Sequence, residues 1–177
     1  MDAIVEIDYQ AGVRAALDHL TASGRCRIAM IDSSHIASSR RESYRDYLHE
    51  HGLPWTSRSE FRADETHEGG VRAAQELLGH YPEADAVLVY NDVMAIGALK
   101  GFARAGTAVP GDIAVVGTDG LDIGTLVTPE LTSLSIDKTA LAQHAIELVD
   151  NILSGRAPAG SRERRRIGLT LVVRESA

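Results

Sequence analysis

The feature that most constrains the fold is the stretch at residues 86–119, which reads AVLVYNDVMAIGALKGFARAGTAVPGDIAVVGTD. It opens with an apolar run at residues 86–90, rich in Val and of strand length. Asn91 ends this run, and apolar residues then recur at helical spacing. A second apolar run, at residues 113–116, leads to Asp119. A strand, a helix and a strand of these lengths predict a βαβ unit, whose strands are parallel and joined by a right-handed crossover.

The helix of this unit has signals at both of its ends. Asp92 can accept backbone N–H bonds and is predicted to cap the helix start. Gly106 stands where a helix ends in the left-handed conformation, and Pro110 follows a few residues later. The helix is therefore predicted to end just before Gly106.

Because the two strands are parallel, Asn91 and Asp119 leave the same carboxyl edge of one sheet, which is where open α/β sheets bind ligands. An Asn amide donates and accepts hydrogen bonds, whereas an ionised Asp only accepts them. Two such groups side by side suit a ligand that carries many hydroxyl groups. The same residues also suit plain chain turning and helix capping, and the spacing alone leaves both interpretations open.

The rest of the chain continues the alternation of strands and helices. Strands are predicted at residues 4–7, 27–31, 58–62, 131–136 and 168–173. Helices are predicted after a cap at Asp8, after a capping box of Ser39 and Glu42, and at residues 66–78 and 139–153. Residues 154–166, rich in Gly, Pro, Ser and Arg, are predicted to form an exposed connector. This alternation indicates an α/β protein with a mainly parallel sheet and helices on both faces.

Composition narrows the classes of function. The chain has 177 residues, of which 44% are hydrophobic, so it can bury one good core. Its net charge of −7 argues against the binding of duplex DNA by this chain itself. The sequence has no apolar run of membrane-spanning length and no signal peptide, which predicts a soluble, cytoplasmic protein without membrane association. It also has no G-x-S-x-G elbow, P-loop or metal-ligand spacing, so no catalytic residue, metal or cofactor is predicted.

Several motifs occur in the order that one protein family shows. They are Asn91-Asp92, the segments VPGDI at 109–113 and VGTD at 116–119, the segment LTSL at 131–134 between Pro129 and Asp137, and VRES at 173–176. The region from Asp8 to residue 29 matches the middle of the same family. In these motifs the chain closely resembles the lactose/galactose-repressor (LacI/GalR) family.

The resemblance implies a type I periplasmic-binding-protein-like fold, with two Rossmann-like lobes and a sugar or similar metabolite in the cleft between them. Residues 8–135 plus 167–177 are expected to form the C-terminal lobe. Residues 1–7 and 138–166 are expected to be remnants of the N-terminal lobe and its crossovers. The helix-turn-helix domain and most of the N-terminal lobe are expected to be absent from this chain.

The helix predicted at residues 139–153 is apolar on two sides, so it needs a partner on each. Its stripes are Leu141, Ala145, Leu148 and Ile152, and Ala142, Ile146, Val149 and Leu153. With the N-terminal lobe absent, this helix is expected to be disordered, repacked or paired with another chain.

Three residues match the family's effector contacts, namely Arg40, Asn91 and Asp119. Arg40 stands in the family motif Arg-x-x-Gly-aromatic, with Tyr44 as the aromatic residue and Ser43 in place of the usual Gly. An Arg near a helix N-terminus opposes the helix dipole, which indicates a role other than helix stability. Its fork of donors can bind vicinal hydroxyls or a carboxylate. The alternative is an Arg40 side chain that lies in solvent.

One position departs from the family pattern. The aromatic residue that stacks on effectors in several relatives falls near Glu65 here, and a Glu side chain provides no apolar ring. Phe61 is a possible substitute, although its place on a weak strand also suits the core. The sequence therefore names no effector beyond a carbohydrate-like small molecule.

The leading interpretation is the effector-binding region of a DNA-binding transcriptional regulator. An effector that binds one arrangement of the lobes better would shift the spacing of paired DNA-binding headpieces. A homodimer is expected, and operator DNA would be bound only through a headpiece that this chain lacks. The alternative is a sugar-binding protein of a transport or chemoreception system with the same fold. An enzyme on such a sheet would need an acid–base pair or a cofactor loop, for which the sequence has no candidate.

Overall fold

A computed structural model of the chain describes residues 2–35, 38–154, 156 and 162–177. The strands are β1 (Asp2–Ile7), β2 (Ile28–Ser33), β3 (Glu60–Ala63), β4 (Ala86–Val89), β5 (Ala114–Asp119), β6 (Thr132–Ile136), β7 (Arg162–Ile167) and β8 (Leu169–Val172). The α-helices are α1 (Tyr9–Ala22), α2 (Ser39–Glu50), α3 (His67–His80), α4 (Asp92–Ala105) and α5 (Lys138–Leu153). Short 3-10 turns lie at Ser57–Ser59 and Asp122–Thr125.

Six strands form the main sheet, in the order β3-β2-β4-β5-β6-β8. Neighbouring strands are parallel except β6 and β8, which pair antiparallel, with β8 as the outermost strand of the sheet. A separate core packs on each face of this sheet, one with α3 and α4 and the other with α1 and α2. All residues of β2 and β4 are buried, as strands covered on both faces should be. The predicted α/β class with helices on both faces is therefore confirmed.

The start of α2 differs from the prediction by one residue. Its N-cap is Ser38, whose hydroxyl oxygen accepts the backbone N–H of Arg40 at 3.2 Å. The predicted capping box of Ser39 and Glu42 is therefore wrong. Two serines stand side by side here, and the sequence does not show which of them has the extended backbone that a cap requires.

The start of α4 is shifted in the same way. Asn91 is the N-cap, with its Oδ1 accepting the backbone N–H of Met94 at 2.8 Å, so the predicted cap at Asp92 is wrong. The predicted end is correct, because Gly106 lies in the left-handed conformation at φ 75°. The cap of α1 is also confirmed, since Asp8 accepts the backbone N–H at position 11.

A second, two-stranded sheet lies outside the main one. β7 pairs in parallel with β1, and Arg164 Nη1 lies 3.2 Å from Glu6 Oε1 across the pair. The predicted connector is therefore wrong for residues 162–166, which form a strand although residues 164–166 are exposed as expected. Residues 155 and 157–161 lie outside the described residues. A run of arginines carries no apolar alternation, so the pairing with β1 rather than a burial pattern sets this strand.

Helix α5 packs against β1 and β7. Among its described residues only Leu148, on the first apolar stripe, is buried, at 4% exposure, while Ile152 on the same stripe is 40% exposed. On the second stripe Ile146 is 68% exposed and Leu153 is 81% exposed. The second stripe has no partner within the part of the chain that the structure describes. None of the described helices combines the length and apolar content that a membrane span requires.

Candidate ligand-binding site

The carboxyl ends of β2, β4 and β5 meet at one edge of the main sheet. The chain runs from β2 to β3 on one side and returns to β4 on the other, so the topological switch point lies between β2 and β4. Arg40 is the second residue of α2, which follows β2, while Asn91 follows β4 and Asp119 ends β5. The three residues that the sequence singled out are therefore brought to one edge.

Arg40 is buried, with only 7% of its surface exposed, so the alternative of a solvent-exposed side chain is wrong. Its guanidinium lies between two aromatic rings, 3.8 Å from the centroid of Tyr9 and 4.0 Å from that of Tyr90. Such stacking stabilises the cation through the negative ring faces. Nη1 donates to the carbonyl oxygen of Tyr90 at 2.9 Å. Nε is buried without a hydrogen-bond partner, so this guanidinium retains an unpaired donor.

Two neighbours of Arg40 on α2 are held inside the protein. Arg41 pairs with the buried carboxylate of Asp32, whose Oδ2 lies 2.8 Å from both Nε and Nη2. Tyr44, the aromatic residue of the family motif, is fully buried and donates its hydroxyl proton to the carbonyl oxygen of Ile28 at 2.8 Å. Burial raises the pKa of this phenol. Both side chains stabilise the fold, which leaves Arg40 as the basic group of α2 at the sheet edge.

Asn91 divides its side chain between two tasks. Its Oδ1 caps α4 by accepting the backbone N–H of Met94. Its Nδ2 donates to no residue that the structure describes and is a donor that a ligand can use. Helix capping and ligand binding, which the sequence left as alternatives for this residue, are therefore compatible.

Asp119 is the half-buried last residue of an otherwise buried strand. Its φ of 109° is positive, which is rare for a residue other than Gly and is found where the surrounding structure enforces it. Partial burial raises the pKa of its carboxyl to about 6, and the positive charge of Arg40 acts in the opposite direction. No described residue donates a hydrogen bond to this carboxylate. It is an acceptor whose hydrogen-bonding capacity is unused.

Five further residues contribute to this edge, and of these only Glu65 was selected from the sequence, as a departure from the family pattern. Tyr9 and Tyr90 stack on Arg40, Ser33 Oγ donates to Glu65 Oε1 at 2.7 Å, and Lys138 Nζ donates to the carbonyl oxygen of Asp119 at 3.2 Å. Glu65 and Lys138 also act on the carboxyl of Asp119, the first raising and the second lowering its pKa. Only Tyr90 has a local signal, because it stands between a buried strand and Asn91. The positions of Tyr9, Glu65 and Lys138 depend on how α1, α3 and α5 begin.

Phe61 does not supply the aromatic ring that Glu65 lacks. It is 8% exposed and belongs to the core under α3 and α4. The rings at the edge come from Tyr9 and Tyr90 instead. Within the described ranges, no three His, Cys, Asp or Glu side chains are grouped as metal ligands.

A parallel sheet with a stacked guanidinium, an amide and a carboxylate at its carboxyl edge defines a ligand-binding domain of the α/β class. The family described as periplasmic binding protein-like domain matches residues 17–177, and the chain belongs to this family. The resemblance to the LacI/GalR family is confirmed by relatives and by solved structures.

The HTH-type transcriptional regulator GalR of Salmonella typhimurium strain LT2 is 34% identical over 157 residues, which cover 87% of this chain and 46% of the relative. A LacI family transcriptional regulator from Arthrobacter sp. FB24, solved in complex with lactose, is 34% identical with a TM-score of 0.90, covering 97% of this chain and 65% of that one. The transcriptional regulator CelR–cellobiose complex is 32% identical with a TM-score of 0.89, covering 99% and 54%.

The chain thus spans about half the length of the curated relatives it matches. These relatives are named as transcriptional regulators, so the alternative of a transport or chemoreception protein is not favoured.

Proposed function

We propose that this chain is the effector-binding region of a DNA-binding transcriptional regulator, and that its effector is a carbohydrate. Arg40, Asn91 and Asp119 would bind the effector at the carboxyl edge of the main sheet. One observation carries the proposal: three polar groups of different hydrogen-bonding character meet at this edge with capacity that the protein itself does not use.

The chemistry of the three groups suits a ring with adjacent hydroxyl groups. Arg40 and the Asn91 amide would donate to hydroxyl oxygens, whereas the Asp119 carboxylate would accept hydroxyl protons. Tyr9 and Tyr90 add apolar ring surface, which packs against the C–H face of a sugar. Two of the matched structures are named as complexes with lactose and cellobiose, which supports a disaccharide.

The proposed mechanism is a shift between two arrangements of two lobes. Residues 8–135 plus 167–177 would form one lobe, and residues 1–7 and 138–166 would belong to the other lobe and its crossovers. An effector that contacts both lobes binds the closed arrangement better and shifts the population towards it. A non-catalytic cytoplasmic homodimer would pass this change to operator DNA through a helix-turn-helix headpiece outside these 177 residues.

The proposal is tested by titrating the chain with lactose and with cellobiose while its amide signals are followed by NMR. The substitution D119N removes the negative charge and replaces one of the two acceptor oxygens by an NH2 donor. It is expected to weaken binding at least about tenfold, since hydrogen bonds to a charged acceptor are the stronger ones. D46N is the matched control, because Asp46 is an exposed carboxylate on α2. Equal weakening by both variants, or by neither, contradicts the proposed site.

A further inference from the structure

Asp92 is a fully buried carboxylate for which the proposed mechanism has no use. It is the first residue of α4 and has no exposed surface. Its Oδ1 accepts the hydroxyl proton of Ser133 at 2.6 Å, and its Oδ2 accepts the backbone N–H of Leu121 at 2.6 Å. Burying a carboxylate is unfavourable unless its hydrogen bonds are made, so these two partners explain how it is accommodated.

Ser133 extends the contact to a second backbone amide. This residue lies on β6, next to β5 in the main sheet, and its Oγ also accepts the backbone N–H of Gly120 at 3.2 Å. Asp92 and Ser133 together therefore bind the two N–H groups that follow Asp119 directly, those of Gly120 and Leu121. The pair connects α4, β6 and the end of β5 at one point.

The backbone of Asp119 needs such a restraint. A φ of 109° is sparsely populated for any residue with a Cβ, and it persists only where neighbouring contacts enforce it. Strand β5 also runs directly against the carboxylate, since a Cβ added at Gly117 would lie 2.3 Å from Asp92 Oδ1. On the other side Lys138 Nζ donates to the carbonyl oxygen of Asp119 at 3.2 Å.

We propose that Asp92 is a positioning residue that acts with Ser133 to hold the Asp119 carboxylate at the ligand edge. Without the pair, the chain after β5 relaxes to an ordinary φ, and the carboxylate turns away from its half-buried position towards water. The consequence for effector binding rests on the proposed function of Asp119. The positioning itself is a property of the chain without a ligand and is tested in that state.

The pKa of Asp119 reports this position, because partial burial raises it to about 6 while a carboxylate in water titrates about two units lower. Arg40, Asp92, Lys138 and Glu65 are the charged groups that act on it. The 13C signal of the Asp119 carboxyl is followed against pH in the 177-residue chain, and the substitution D119N assigns it.

The main comparison is between D92N and D92A. Both substitutions remove the charge of Asp92, so its direct electrostatic effect on Asp119 cancels. Only the Asn side chain can still accept the N–H of Leu121 and donate to Ser133 Oγ. We expect the pKa of Asp119 to be at least about one unit lower in D92A than in D92N, a tenfold difference in proton affinity. D92N is thus the conservative variant that restores the position.

A second pair of variants leaves the charge of Asp92 in place. S133A removes the hydroxyl that joins Asp92 to Gly120, and S59A removes an equally buried hydroxyl far from the edge. We expect S133A to lower the pKa of Asp119 and S59A to leave it unchanged. This pair decides the question if D92A does not fold. The proposal is overturned if the pKa of Asp119 is the same in D92A as in D92N. If D92A does not fold, it is overturned if this pKa is the same in S133A as in S59A. Either result holds whether or not any sugar binds.

Discussion

The two edges of the main sheet carry similar polar residues but use them differently. At the amino edge, Asp85 accepts the backbone N–H groups of Arg27 at 2.9 Å and of Cys26 at 3.2 Å. Arg27 also lies 3.3 Å from this carboxylate, and Arg25 donates to backbone carbonyl oxygens, among them that of Gly111 at 3.4 Å. The carboxylate is fully used in holding neighbouring loops together.

At the carboxyl edge, the corresponding groups are incompletely paired. Arg40 uses one nitrogen and the faces of its guanidinium, Asn91 uses its oxygen, and the carboxylate of Asp119 accepts no hydrogen bond from a described residue. Residue type alone therefore does not distinguish a structural polar group from a binding group. A binding group differs from a structural polar group in having hydrogen-bonding capacity at the sheet edge that the protein itself does not use.

The largest effect is expected from R40A. It removes the donors of the stacked guanidinium, so sugar affinity should fall at least about 30-fold, or ~2 kcal/mol. R58A is the matched control, since Arg58 is exposed and its contact with Glu83 is 3.4 Å long. Calorimetry or NMR titration measures both variants. If R58A loses as much sugar affinity as R40A, the carboxyl edge is not the specific binding site and the proposal is contradicted.

A comparable effect, on stability rather than on binding, is expected from D85A. The side chain of Asp85 is 14% exposed, and its removal leaves two backbone N–H groups without their acceptor. We expect the free energy of unfolding in urea to fall by about 1.5 kcal/mol with sugar binding unchanged. D46A should change it by less than about 0.5 kcal/mol. A D85A variant as stable as the parent protein would show that the amino edge is not held by this carboxylate.

D119N is expected to stabilise the protein while weakening binding. The pKa of Asp119 is raised in the folded state, so ionisation disfavours folding as the pH rises from about 4 to about 6. Below this window the carboxyl is protonated in both states and resembles an amide. D119N should therefore unfold like the parent at pH 3.5 and be more stable by about 1 kcal/mol at pH 7, allowing for solvent screening. A D119N variant that is less stable than the parent at pH 7 contradicts this account.

The smallest effect is expected from N91D, which separates the two tasks of this side chain. An Asp caps a helix as well as an Asn does, but an ionised Asp has no proton to donate. The melting temperature should hardly change, while sugar affinity should fall at least about threefold, or ~0.7 kcal/mol. N151D on α5 controls for the added charge. Unchanged affinity in N91D means that the amide is only a cap.

Part of this arrangement could be predicted from the sequence. The apolar runs and Gly106 define the βαβ unit, and parallel strands necessarily bring Asn91 and Asp119 to one edge. The early position of Arg40 in α2 follows from the polar residues that precede that helix. These inferences need only local patterns and one rule of topology.

The rest depends on tertiary contacts that no local pattern encodes. The stack of Tyr9 on Arg40 requires that α1 and α2 begin side by side. The strand of arginines at β7 forms because β1 lies next to it. Asp92, which the sequence suggested as a helix cap, binds Ser133 instead, 41 residues further along the chain.

One measurement tests the binding role of the carboxyl edge most directly. Lactose and cellobiose are titrated into the 15N-labelled chain, and shift changes are mapped onto the two edges of the main sheet. We expect changes at the amides of Tyr90, Asn91 and Asp119 and at Nε of Arg40, with none at Arg27 or Asp85. Changes confined to the amino edge would contradict this expectation.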